Sequence, residues 1–359
     1  MNQGSIQIGA SKQLRIEQLE TVNFETNLNP FGAPDSVKRA IMEHIDSISS
    51  YPVGYYENLK AAIARYCGCN KDHIVTRSST ADLIRLFIGM QGSKRVLLPY
   101  PQSPEYERSL NALGVQILNY ELREENDFRI EPDTITNALV KDVDAIVISN
   151  PGNPSSQLLT RDEIKVIADA AKAVGALLIV DEMYMEFTDN ASACTAIPLA
   201  ESMSNVVVTR SASKFFAVPG LRLAYAVTSD DKKLKAILKT AANFSISAIT
   251  AAACTSMFTD ENYVERTRSQ MHTERNLVYS ALATYKELRL FKPYANFMLL
   301  QVPDGAPGAS EICEDLRTQG MILRNCSNIR GLSNRYLRFC FMNPRQNDAL
   351  VNALLEKII

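Results

Sequence analysis

The chain has 359 residues, 46% hydrophobic and 22% charged, the composition of a globular protein long enough for one large core or two domains. Its 38 Lys and Arg against 40 Asp and Glu leave a formal charge of -2 with no long basic run, which excludes general attraction to nucleic acid or an anionic membrane and points to a small-molecule partner. The opening residues lack the apolar core of a signal peptide and no later apolar run reaches membrane-span length, so a soluble, cytoplasmic protein is expected.

From about Ser50 to Ser229 the pattern alternates helix with buried strand. ENLKAAIARYCG, at 57–68, carries apolar residues at helical spacing. RVLLPY (95–100), DAIVISN (144–150), GALLIVD (175–181) and NVVVTR (205–210) are short β-rich runs of the kind found in a sheet covered on both faces. TRDEIKVIADAAKAVG, at 160–175, has a Thr cap, acids in its first turn and a Gly stop, and so predicts a helix. Repeated strand–helix–strand units predict an α/β fold with a mostly parallel sheet and helices on both faces. One strand should run against the rest. Between NVVVTR and GLRLAYAVTS only about nine residues intervene, fewer than the dozen or more of a parallel crossover.

After Asp230 the texture changes. A long helical region is expected over 231–285, followed by a strand at ANFMLLQV, a helix near SEICEDLRTQG, strands at MILRNC and YLRFCFM, and a last helix at NDALVNALLEKII. The expected division is a large α/β domain over residues 46–240, with residues 1–45 and 241–359 forming a smaller α+β domain. Seven cysteines, of which only Cys67 and Cys69 lie close together as CGC, and three histidines (His44, His73 and His272) spread through the chain give a zinc site little support.

In open parallel sheets, ligands bind beyond the carboxyl ends of the strands. There the sequence places NPGNPSSQ after DAIVIS, DEMY after ALLIV, and SASK after VVVTR. Together these residues suit a planar cationic heterocycle bearing an aldehyde and a phosphate. Pyridoxal phosphate needs an amine for its aldehyde, a carboxylate for its ring nitrogen, donors at its ring hydroxyl, and hydroxyls with an arginine at its phosphate. Lys214, Asp181, Asn153 with Tyr184, and Ser211, Ser213 and Arg222 supply these in turn.

The motifs SASKFFAVPGLRLAYAV, SNPGNPSS, VDEMYMEF, NLNPFGAP and SSYPVGYYENLKAAIARY resemble the fold type I (aspartate aminotransferase-like) pyridoxal-phosphate enzymes, in particular the histidinol-phosphate aminotransferase group. Within it, NPFGAPDSVKRAI, KFFAVPGLRLAYAVTSDD and ILRNCSNIRGLSNRYLRF are most similar to the threonine-phosphate decarboxylases of cobalamin synthesis. The resemblance implies that Lys214 is the Schiff-base lysine and that Asp181 partners the pyridine nitrogen. It implies Asn153 and Tyr184 at the ring hydroxyl, and Ser211, Ser213, Arg222, Thr80 and Ala81 at the phosphate. Tyr51 matches a tyrosine that reaches the phosphate of a neighbouring subunit, so a homodimer with a shared site is implied. Arg338 matches the arginine that binds the substrate carboxylate, and Arg324 and Asn27 match positions at its distal phosphate.

Three stretches depart from the group. Ser103 stands where an aromatic side chain stacks on the cofactor ring, and neither Tyr100 nor Tyr106 sits at the matching position. The glycine-bearing phosphate loop is RSSTAD, at 77–82, and MNQGSIQIGASK lacks the His-Gly-Gly-Asn segment that helps bind the substrate phosphate. The expected activity is decarboxylation of a phosphorylated amino acid. The alternatives are a histidinol-phosphate-type or other class I/II aminotransferase and, from another class, a non-catalytic dimeric scaffold or sensor.

Overall fold

The computed structural model describes residues 21–52, 55–239 and 245–359, so the N-terminal stretch compared with the His-Gly-Gly-Asn motif lies outside the described residues. Within them the strands are β1 (Val22–Asn23), β2 (Ile74–Arg77), β3 (Arg95–Tyr100), β4 (Gln116–Glu121), β5 (Ala145–Ser149), β6 (Leu177–Asp181), β7 (Val206–Ser211), β8 (Ala224–Val227), β9 (Arg289–Leu290), β10 (Phe297–Gln301), β11 (Met321–Ile322), β12 (Arg324–Asn325) and β13 (Tyr336–Cys340). Seven form one sheet in the order β2-β8-β7-β6-β5-β3-β4. All pairings from β4 to β7 are parallel, while β8 is antiparallel to both β7 and β2. The short β7–β8 connection thus reverses the chain as its length demands. Strands β2 and β4, not singled out from sequence, form the two edges.

Burial on both faces explains the unbroken apolar runs. Successive side chains of a strand point to opposite faces. Accordingly Ile146, Ile148, Leu178 and Val180 enter one core, whereas Ala145, Val147, Leu177 and Ile179 enter the other. The helix Arg161–Ala173 that covers the sheet begins with a full capping box, Thr160 with Glu163, as its sequence predicts.

The expected helical region beyond Asp230 is not continuous. It comprises Asp231–Lys239, Ala248–Met257 and Glu261–Leu282; Ser247 caps the second by accepting the Thr250 amide, and Asp260 caps the third. MILRNC is likewise two strands in two sheets. β11 pairs in parallel with β1, while β12 joins the antiparallel sheet β12-β13-β10-β9. The β1 pairing stitches the described N-terminal segment to the C-terminal one. The Phe24 amide donates to Ile322 O and the Cys340 amide to Phe24 O, at 2.8 and 2.9 Å. Residues 25–29 are thereby laid along the carboxyl edge of the large sheet, where the Asn29 amide donates to Lys214 O.

Behind that edge, Glu182 and Arg210 form a buried pair, with Nη2–Oε2 at 2.8 Å and Thr195 Oγ1 donating to the same carboxylate oxygen. Asp181 and Glu182 are adjacent in sequence but serve opposite sides of the sheet. Removing one member of such a pair strands the other charge in a medium that cannot solvate it. Glu182→Ala is therefore expected to lower the unfolding free energy by about 3 kcal/mol, measured by urea denaturation.

Candidate active site

Three strand ends converge on an open cavity of about 470 Å³. β6 ends on Asp181, the turn beyond β5 carries Asn153, and β7 runs into the short helix Ala212–Phe215 that holds Lys214. Ser211 caps that helix by accepting the Ser213 amide at 3.2 Å. The four-stranded sheet supplies the facing wall through Arg338 of β13 and Arg324 of β12, both of which line the cavity. Thr80 and Ala81 also line it, at the N-terminus of the helix Thr80–Gln91. Ser79 satisfies the amides of Asp82 through its hydroxyl and of Leu83 through its carbonyl. The amides of Thr80 and Ala81 remain as the anion-binding end of the helix.

The charges in this cavity are held against the cost of burial. Burial pushes the Asp181 carboxyl up to about 6, against the lowering effect of Tyr106 Oη, which donates to Oδ2 at 2.7 Å, and of the Met183 amide, which donates to Oδ1 at 3.1 Å. Burial, with the Arg338 charge second, lowers the Lys214 amine to about 8. About a tenth of it is then unprotonated at pH 7, far more than for an ordinary lysine, and that is the form that attacks a carbonyl. Its Nζ donates to Thr26 O at 2.8 Å. Arg338 donates from Nη1 to Asn153 Oδ1 and from Nη2 to Glu25 O, at 2.5 and 2.6 Å, while its buried Nε has no partner.

Eight of the residues predicted from sequence therefore meet around one space: Lys214, Asp181, Asn153, Tyr184, Thr80, Ala81, Arg324 and Arg338. The others lie behind or beside it. Asn27 is buried beneath Tyr184, donating to its hydroxyl at 3.3 Å, with Oδ1 unpartnered. The Ser211 and Ser213 hydroxyls bond each other at 2.9 Å. Arg222 is exposed and donates to Pro219 O, and Tyr51 is exposed on the segment before the helix Tyr55–Cys67. Tyr106 takes a role the sequence reading did not give it. Considered there only as a ring to stack on the cofactor, it is buried and aims its hydroxyl at Asp181. Its Pro-led helix after β3, running Pro104–Asn111, was the available signal. Ser103, at the stacking position, also lines the cavity, as does Glu25, which the sequence reading passed over.

The donor set fits pyridoxal phosphate: a buried carboxylate for the ring nitrogen, Tyr184 and Asn153 for the ring hydroxyl, an amine of lowered basicity, and a helix N-terminus for the phosphate. The unpartnered Nε of Arg338, which lines the cavity, is a polar group left for a bound molecule to satisfy. The protein is a pyridoxal-phosphate-dependent enzyme of the aminotransferase-like fold.

More particularly, the chain belongs to the aminotransferase class I and II family, which matches residues 20–354. It is 30% identical over 345 residues to the threonine-phosphate decarboxylase of Salmonella typhimurium, covering 96% of this chain and 93% of that one. Among solved structures it resembles the histidinol-phosphate aminotransferase of Clostridium acetobutylicum, with TM-score 0.85, 26% identity, and coverage of 93% of this chain and 98% of that one. The histidinol-phosphate aminotransferase of Sinorhizobium meliloti, solved in complex with pyridoxal-5'-phosphate, shares the fold at TM-score 0.82 and 21% identity, covering 94% of this chain and 91% of that one.

The raised acid at the cavity floor has a consequence for stability. Asp181 ionises less readily in the fold than in the unfolded chain, so its favourable contribution is complete below about pH 4 and is lost as pH rises through about 6. Glu186, pushed up to about 7 by burial, acts in the same direction. In the cofactor-free protein, Asp181→Asn is expected to leave Tm nearly unchanged below about pH 4 and to raise it by about 3 °C or more at pH 8, read by scanning calorimetry.

Proposed function

We propose that the enzyme decarboxylates a phosphorylated amino acid of the threonine-phosphate kind, as in the making of a cobalamin side chain. The observation that carries this reading is the Lys214–Arg338 wall. A cation anchored by Asn153 and Glu25 O stands beside an amine of lowered basicity, with a second arginine, Arg324, opposite Arg338 on the neighbouring strand. Together with the similarity to a threonine-phosphate decarboxylase, this gives one cation for an α-carboxylate and another for a distal anion.

When bound, pyridoxal phosphate supplies an electron sink for a bond broken at the substrate α-carbon. The rest falls to the chain. Arg338 binds the carboxylate and fixes its orientation, which decides whether the bond to carbon dioxide or the bond to hydrogen stands upright for cleavage. Asp181 holds a proton at the ring nitrogen, steadied by Tyr106. Asn153 uses Oδ1 for Arg338 and keeps its amide nitrogen for the ring hydroxyl, beside Tyr184. Lys214 attaches the cofactor and, once free, returns a proton to the α-carbon. The Ser211, Ser213 and Arg222 side chains hold the phosphate with the Thr80–Ala81 helix end.

The same side chains would also serve transamination, and the fold match to a histidinol-phosphate aminotransferase favours that as the second reading. The enzyme works as a cytoplasmic homodimer in which Tyr51 reaches the other subunit's cofactor phosphate. In support, Met42, Ile48 and Tyr51 expose 67, 71 and 78% of their surface on one short segment, a patch that a second copy would cover.

Carbon dioxide and aminopropanol phosphate are the expected products from threonine phosphate. Glutamate formed from histidinol phosphate and 2-oxoglutarate, with no carbon dioxide from threonine phosphate, would replace this reading by the second. Borohydride should fix the cofactor to Lys214, located by peptide mass spectrometry, and Lys214→Ala should abolish the attachment. In stopped-flow mixing, the rate of attachment should rise with pH through about 8 and then level. Tyr51→Phe should weaken cofactor retention on dialysis; unchanged retention in a dimer would refute the cross-subunit role.

A further inference from the structure

β12 and β13 run antiparallel with Arg324 directly opposite Arg338. Like charges at such a pair repel, yet both guanidinium groups reach the same cavity. A single residue answers both. The Glu25 carbonyl accepts Arg338 Nη2 at 2.6 Å, and its carboxylate Oε1 lies 3.4 Å from Arg324 Nη1. The other Arg324 amino group donates to Asn328 Oδ1 at 2.7 Å. Of the remaining charged groups at this end, Arg108 and Glu105 pair with each other at 2.6 Å. The second arginine is thus not a free cation. It is already matched by an acid of the protein's own.

Resting on the reading that the cavity takes an amino acid with an anionic side chain, we infer that Glu25 is a specificity-determining residue, competing with the substrate's distal anion for Arg324. An anionic tail has to displace the Glu25 carboxylate or share the guanidinium with it. Both side chains are loose enough for this, with relative exposures of 37% for Glu25 and 24% for Arg324. The cost falls on the charged tail and not on the amine or carboxylate of the substrate. Glu25 therefore sets how strongly a phosphorylated side chain is preferred over the same side chain without phosphate. A site with Arg324 unmatched would hold phosphate more tightly.

The test uses the holoenzyme and two ligands that differ by a phosphate and carry no carboxylate to lose, O-phosphoethanolamine and ethanolamine, with affinities from isothermal titration calorimetry. Glu25→Gln should tighten O-phosphoethanolamine by about fivefold and leave ethanolamine unchanged. Glu25→Asp, which keeps the charge, should stay near the parent ratio, and in an Arg324→Gln background Glu25→Gln should have no effect. Parent enzyme that prefers the phosphorylated ligand, with that preference unchanged in Glu25→Gln, overturns the role of Glu25 alone. Equal affinity for the two ligands in the parent enzyme overturns this inference together with the substrate reading.

Discussion

The site depends on a backbone segment, residues 25–29, that hydrogen-bonds to two of the cations facing the cavity, Lys214 and Arg338. The Thr26 carbonyl accepts Lys214 Nζ, the Glu25 carbonyl accepts Arg338 Nη2, and the Asn29 amide donates to Lys214 O. Carbonyl dipoles hold a positive group in place without neutralising it. Had carboxylates done this work, the lysine would be a spent ion pair with raised basicity. Instead burial and Arg338 lower it, and the amine stays available.

That segment is itself placed by β1, only two residues long, pairing in parallel with β11. The pairing joins distant parts of the chain, and the Phe24–Cys340 and Phe24–Ile322 bonds fix its register. Register matters because a slip of one residue in an extended strand sends alternate side chains to the other face. It would exchange Glu25, at the cavity, with Phe24, which is now buried. The lysine-bearing sheet and the arginine-bearing sheet are thus held in one geometry by main-chain bonds.

Two acids in this neighbourhood illustrate how environment assigns roles. Asp181 and Glu182 are consecutive, and both are buried. Glu182 has a guanidinium, a hydroxyl and an amide, and serves as structure. Asp181 has a phenol and an amide but no cation, and so keeps an unmet charge directed into the cavity. A cationic ring nitrogen is the partner such a carboxylate lacks. The Tyr106 hydroxyl donates to this carboxylate without neutralising it.

The sequence by itself determined the inner strands of the large sheet, because they are buried on both faces and read as unbroken apolar runs, and because nine intervening residues force β8 to turn back. It also determined the chemical set at the strand ends, since topology brings whatever follows β5, β6 and β7 to one edge. Only the tertiary structure decided how those groups are partnered. The Tyr106 hydroxyl on Asp181, the hold of Thr26 O on Lys214, and the Glu25 bridge between Arg324 and Arg338 span separations of 75, 188 and 299 residues. Such contacts have no local signature: they arise when strand pairing closes the chain on itself, and a carboxylate at position 25 looks like any solvated acid until β1 meets β11.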